Sequence, residues 1–361
     1  MDLTKLSQFE ISKKRAILFI IVILGSYFIL NFNSLFEDEC SGYLACHDFD
    51  RRMARLYVWS LDDIKNDFRH SLHLGLLVLS GEVFGNYKVL SLVSSGILLL
   101  LTYLFTVRIT NKRIAGILAM VVLFQSSIFR DYATSVTYPS FWACLFIFAL
   151  YMSINKRWFV APFSSILAVP AKSLSGLFMP ATMLFVWFSD LDKKLRKRIV
   201  LIYLGIIVIG LGVGYFVYVN EIVKGTLVPL EFRPYGLVEG VGSWANSFRE
   251  DKISFALLVT AIPMLWMIRQ VPYSKSLLFL LVGMLLVSVF IRGFTTYDNW
   301  PYRFLPHIVI ISMMYGFIFA NLNKIYYESF RFPSLMSKPK TAKINKPSKL
   351  ERLEDGFDQY Y

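Results

Sequence analysis

Residues 13–39 read KKRAILFIIVILGSYFILNFNSLFEDE: three cations, an apolar run, then the acids Glu37, Asp38 and Glu39. The rest of the chain repeats that pattern. Its long apolar runs are separated by two kinds of break, and the kinds alternate. Short basic breaks hold Lys13-Lys14-Arg15, Lys112-Arg113, Lys156-Arg157, Lys193 to Arg198, and Arg269 with Lys275. Longer breaks of mixed sign hold the acidic triplet, Arg130-Asp131-Tyr132 and the stretch from Asp298 to Arg303. Short basic loops stay cytoplasmic, so the alternation predicts a polytopic membrane protein whose mixed-sign segments face outward. The run Ala16–Phe32 is followed by no small-residue cleavage site, which predicts a retained first helix rather than a signal peptide.

Composition points the same way. Of 361 residues, 56% are hydrophobic and 32 are Phe, which suits a chain dissolved in lipid better than one folding around a single aqueous core. The net charge of +13 would suggest nucleic acid in a soluble protein. Here the cations cluster at the inner ends of apolar runs, where anionic headgroups attract them, so membrane lipids and not nucleic acid are the expected partner. Cys144 lies within an apolar run and reads as a small hydrophobe. Cys40 and Cys46 share the first outward loop and could form a disulfide if that loop meets an oxidising compartment. No Cys or His spacing suggests a metal site, no cofactor motif is present, and a divalent-metal requirement stays open.

Apolar runs place membrane helices near 16–33, 88–107, 114–129, 136–153, 157–170, 173–189, 199–219, 254–270, 275–292 and 304–321. The expected fold is therefore an all-α polytopic bundle of about ten transmembrane helices over residues 1–329, followed by a disordered basic cytoplasmic tail over 330–361. An even number of crossings puts both termini in the cytoplasm, at the cell membrane or an equivalent endomembrane. The first outward loop, 34–88, carries an interfacial helix from His70 to Phe84. The second long one, 220–253, holds Glu231-Phe232-Arg233-Pro234-Tyr235, several glycines and Trp244, and reads as a lid or partner-binding loop.

Most residues capable of chemistry lie on the outward side. Three adjacent carboxylates at a membrane exit repel one another in a low dielectric, which raises a pKa and demands a cation or donor. They can be a solvated flank that orients the helix, or they can supply a general base beside a lipid-borne substrate. Arg130, Lys172, Arg292 and Arg303 run against the positive-inside trend. Snorkelling explains any one of them, whereas several together suggest an anionic ligand, a lipid phosphate being the natural candidate. Lys172 is the most telling, between two short apolar runs with no acid adjacent in sequence. His70, His73 and His307 suit structural hydrogen bonds better than catalysis.

The order of these pieces resembles the GT-C class of integral-membrane glycosyltransferases, which use polyprenyl-phosphate sugars and include protein O-mannosyltransferases and lipid A aminoarabinose transferases. The matching pieces are Asp38-Glu39-Cys40-Ser41-Gly42-Tyr43, His73-Leu74-Gly75 leading to Val83-Phe84-Gly85, Phe129-Arg130-Asp131-Tyr132, Ala171-Lys172, and Tyr302-Arg303-Phe304-Leu305-Pro306. Two prolines that many members carry after that His are absent. The resemblance implies Asp38 as base or acceptor-positioning acid with Glu39 beside it. It also implies Lys172, Arg303, Arg130, His73 and Tyr302 around the lipid phosphate. The donor would be a polyprenyl-phosphate sugar and the acceptor a glycan, lipid or protein on the outer face. A polyprenyl-pyrophosphate glycan polymerase or ligase, or a non-catalytic lipid-binding or assembly subunit, are the other readings.

Overall fold

A computed structural model of the chain describes residues 9–37, 71–223, 232–294 and 301–326. Among these every regular element is helical and none is a strand. In chain order the helices are α1 (Lys13–Phe32), α2 (Ser71–Phe84), α3 (Val89–Thr110), α4 (Arg113–Gln125), α5 (Ser127–Asp131), α6 (Pro139–Ile154) and α7 (Val160–Ala171). They continue with α8 (Met179–Phe188), α9 (Lys193–Val223), α10 (Pro234–Glu250), α11 (Lys252–Met267), α12 (Ser274–Phe294) and α13 (Leu305–Ala320). Two 3-10 turns, Ser173–Phe178 and Pro301–Phe304, lead into α8 and α13. Each apolar run read from the sequence forms a helix.

Among the described residues three helical segments, Lys13–Leu35, Val89–Thr110 and Pro301–Ala320, are long and apolar enough to cross a membrane by length and composition. Several others are shorter. Helix α7 has 12 residues and α8 has 10, so α7 rises about 18 Å against roughly 30 Å of hydrocarbon. The outer surface is apolar, as lipid contact requires: Leu18, Ile29, Leu30, Leu201, Ile209, Leu211 and Phe216 are all largely exposed.

Helix α13 is the hub. It is buried along nearly its whole length and packs on α3, α4, α6, α11 and α12. Small residues permit the closest approach: a Cβ on Gly316 would stand 2.5 Å from the Ala115 carbonyl oxygen and 2.6 Å from Thr106 Cγ2. Hydroxyls on the buried α3 are satisfied within the helix, Thr102 donating to Leu98 O and Thr106 to Thr102 O, each at 2.8 Å.

The two kinds of break gather at opposite ends. At the basic end Arg113 N–H donates to Glu10 Oε1 (3.0 Å), Lys112 Nζ to Ala320 O (2.9 Å), and the Arg198 guanidinium lies 3.6 Å from the Trp158 ring centroid. At the other end Lys88 Nζ donates to Ser34 O (3.2 Å), Thr134 Oγ1 to Ser34 O (3.4 Å) and Ser127 Oγ to Glu250 O (2.8 Å).

The segment 220–253, expected as a long loop with a lid or partner-binding role, carries a helix of its own. Residues 234–250 form α10, opened by Pro234 in the first turn and packed on α12. Glycines that suggested a loop sit on the packed face: Gly236, Gly240, Ser247 and Phe248 are buried at helical spacing. Tertiary packing outweighs the poor helix propensity of Gly. Helix α9 also runs on to Val223, past the expected loop start at 220.

Sidedness can be read by thiol labelling. Gly242 is exposed with open space where a Cβ would stand, and Lys194 is exposed at the basic end. A Gly242→Cys protein is expected to react with an impermeant maleimide in intact cells, and Lys194→Cys only after permeabilisation. Labelling of Lys194→Cys from outside would reverse the map.

Candidate functional site

Helix α7 stops because Pro170 lacks an N–H for the last turn and Lys172 then turns extended, at φ −157° and ψ 113°. The chain re-enters as the 3-10 turn, with Ser175 N–H donating to Lys172 O at 2.9 Å. Both flanking helices are short, so Lys172 sits inside the protein and is 2% exposed. Its Nζ lies 5.4 Å from the ring centroid of Tyr302. Arg303, 7% exposed, places its guanidinium carbon 5.6 Å from the same centroid. Tyr132, just after α5, packs its ring 5.6 Å from Tyr302. Three distant segments thus converge on one aromatic ring that carries two buried cations. The 301–304 turn is held by α5, α10 and the start of α13, and Phe304 packs on Phe248 of α10 at 5.7 Å.

His73 is buried on α2, where its Nε2–H donates to Val136 O at 2.6 Å and its ring stands edge-on to Tyr138. Tyr138 in turn donates its hydroxyl to Tyr87 O. Ser91 Oγ donates to Ala133 O at 3.0 Å. These bonds clamp the 132–138 segment, in which Tyr138 adopts the left-handed region at φ 44°. His73 therefore fixes the wall that carries Tyr132.

Arg130 is exposed at the end of α5, and the carboxylates around it were not singled out by sequence. Asp251 caps α11, accepting from Ser254 N–H at 3.0 Å and from the Ser126 hydroxyl. Asp131 and Glu250 lie close by. Loss of water raises the Asp131 pKa above the ordinary carboxylate range, Arg130 opposing the shift and Asp251 adding to it. Glu250 is raised by lost water and then by Asp131. Among the described residues no group of three His, Cys, Asp or Glu side chains could hold a metal ion.

Asp38, Glu39, Cys40, Cys46, His70, the side chain of Arg292 and the tail from 330 lie outside the described residues. Glu37 is the last described residue before Asp38. Its carbonyl and that of Ser34 accept from the buried Lys88, a cation that sequence reading passed over as the end of a loop. No protein-family model matches the chain, and no curated protein or solved structure matches it either.

The raised carboxyls make a testable pH signature. A carboxyl whose folded pKa exceeds its unfolded value favours folding while protonated. It loses that contribution as pH rises from the ordinary carboxylate pKa through the raised folded value. Asp131→Asn and Glu250→Gln are each expected to raise the Tm of the detergent-solubilised protein at pH 7, and to leave it unchanged in acid below the ordinary carboxylate range. Equal gains at both pH values would show that charge is not the cause.

Proposed function

We propose that this chain is a glycosyltransferase that crosses the membrane about ten times and moves a sugar from a polyprenyl-phosphate carrier to an acceptor at the mixed-sign end. The supporting observation is the pair of buried cations on Tyr302. Two cations buried against one ring bring a point charge and a planar fork to the same place, and an anion there gains charge-assisted hydrogen bonds from both. A lipid phosphate suits the place: its tail can leave through the apolar surface while its headgroup meets Lys as a point charge and Arg as a fork.

The acceptor hydroxyl oxygen attacks the anomeric carbon, and the bond from that carbon to the phosphate oxygen breaks. Its electron pair leaves with the phosphate, and the hydroxyl proton passes to Asp38. Lys172 and Arg303 stabilise charge that grows on the departing phosphate in a site poor in water. Sugar phosphates are good leaving groups, so no general acid is required.

Lys172→Ala and Arg303→Ala should each weaken binding of a polyprenyl phosphate about ten- to a hundred-fold, the usual worth of a charge-assisted hydrogen bond. If they share one phosphate, the double variant loses less than the sum of the single losses. Unchanged affinity in both single variants would return the two residues to a packing role and favour a non-catalytic subunit.

Asp38→Asn should abolish transfer while donor binding persists, since a general base contributes roughly 10²–10⁴-fold to rate. Turnover above about a tenth of wild type would remove Asp38 from the mechanism.

A further inference from the structure

At the basic end, away from Lys172 and Arg303, arginines lie on tryptophans. The guanidinium carbon of Arg269 is 5.1 Å from the Trp266 ring centroid, and that of Arg196 is 6.0 Å from Trp187. The closest pair joins two helices: Arg198 of α9 stands 3.6 Å from the centroid of Trp158, at the head of α7. Trp158 is set there by the start of that helix, where Ala161 N–H donates to Arg157 O at 3.2 Å. Arg198 lies in the second turn of α9. Deeper in the bundle the same two helices are tied by the buried hydroxyls of Ser165 and Tyr203, 2.9 Å apart. The pair therefore sits on a fixed seam.

At 3.6 Å the guanidinium carbon is in van der Waals contact with the indole and has to lie over its face. Contact through the face leaves the N–H rim for an outside acceptor, and a planar fork fits two oxygens of one phosphate. Among the described residues no carboxylate forms an ion pair with Arg198. Asp192, just before α9, is engaged elsewhere, accepting from Lys194 N–H at 3.0 Å and Leu195 N–H at 3.4 Å.

What lies around the pair is ordered by depth. Lys156, Arg157, Lys194 and Lys197 are exposed at the level of the helix starts. One turn inward of Arg198, on the same face of α9, Leu201 is largely exposed. Beside Trp158, Phe159 and Phe163 are exposed too, their rings stacked at 6.4 Å. Cations, then an indole, then open apolar side chains match a phospholipid read from headgroup to acyl chain. A free phosphate would leave the apolar flank unused. We propose that Arg198 and Trp158 form a socket for the phosphate of an anionic phospholipid in the leaflet at the basic end, its acyl chains lying on Phe159, Phe163 and Leu201. This socket is at the opposite end from Lys172 and Arg303 and does not depend on the lipid-phosphate reading of those residues.

The test titrates the purified, detergent-solubilised full chain with phosphatidylglycerol, phosphatidylcholine and soluble glycerol phosphate, counting bound molecules by native mass spectrometry. The proteins are wild type, Arg198→Gln, Arg198→Lys, Trp158→Leu and Lys194→Gln. Wild type should hold phosphatidylglycerol more tightly than the other two probes. Arg198→Gln should weaken it roughly ten- to a hundred-fold, the worth of a charge-assisted hydrogen bond. Arg198→Lys keeps the charge and loses the fork, so it should still weaken binding roughly three- to tenfold, with Tm unchanged. Trp158→Leu should follow Arg198→Lys, and Lys194→Gln, which removes a charge four residues away, should change little. Wild-type affinity in Arg198→Lys overturns the socket, because attraction to charge alone would then suffice. Equal losses in Lys194→Gln and Arg198→Gln overturn it for the same reason. Glycerol phosphate bound as tightly as phosphatidylglycerol overturns the lipid as occupant. Arg198→Lys decides the matter even if Trp158→Leu misfolds.

Discussion

An ammonium taken out of water has to be offset by its surroundings, and the mixed-sign end of this fold is arranged around that demand at Lys172. The side chain is buried at the break between α7 and the turn before α8, facing a tyrosine that also faces Arg303. The ring of Tyr302 contributes a cation–π contact to each cation. It is useful only if held still, since cation–π attraction falls off with distance. The holding is done by neighbours. The Pro301–Phe304 turn is seated among α5, α10 and α13, and Tyr132 braces Tyr302 from the 132–138 segment. That segment is tied down by His73 and Ser91.

Rigidity reaches the site from below as well. Tyr302 and Arg303 open directly into α13, the most enclosed helix in the bundle. Gly316 lets α13 pack so tightly on α4 and α3 that even a methyl group would collide with backbone. A helix locked at its middle transmits that order to its first turn, so Arg303 and His307 are carried on a fixed axis. The opposite wall is less uniform. Helix α8 packs on both α9 and α12, and its 3-10 entrance brings Ser175 and Phe178 into line without a full helical turn.

Much of this was legible in the sequence, for a physical reason. In a low dielectric the chain must use helices and must place charges at their ends, so apolar runs marked the helices and the sign of the breaks marked the ends. Lys172 and Arg303 stood out because outward cations break that trend. Their meeting beside Tyr302 came from the resemblance, which puts Lys172, Arg303 and Tyr302 around one phosphate, since local pattern alone carries no distance between remote segments. Helix α10 was missed because its glycines signal loops in water but serve close packing here. Lys88 looked like a loop end, and its bonds to the Ser34 and Glu37 carbonyls depend on the first helix returning to it. The residue pattern gave His73 a structural hydrogen bond and the resemblance gave it the phosphate; its nitrogen meets the Val136 carbonyl.

The length of α7 explains why a lysine can be buried at all. Two further turns inserted before Pro170 would carry residue 172 about 10 Å along the helix axis, away from the ring it now faces. Pro170 ends it early. The chain reverses within the protein, and the reversal leaves the first residue after the helix with an extended backbone and its side chain under the 301–304 turn. Truncation thus turns an ordinary loop lysine into an interior one. The same truncation brings the 3-10 turn, with Ser175 and Phe178, to the level of His307. One short helix therefore sets the place of Lys172 and of the 3-10 turn that follows it, so a lengthening of α7 would displace both together.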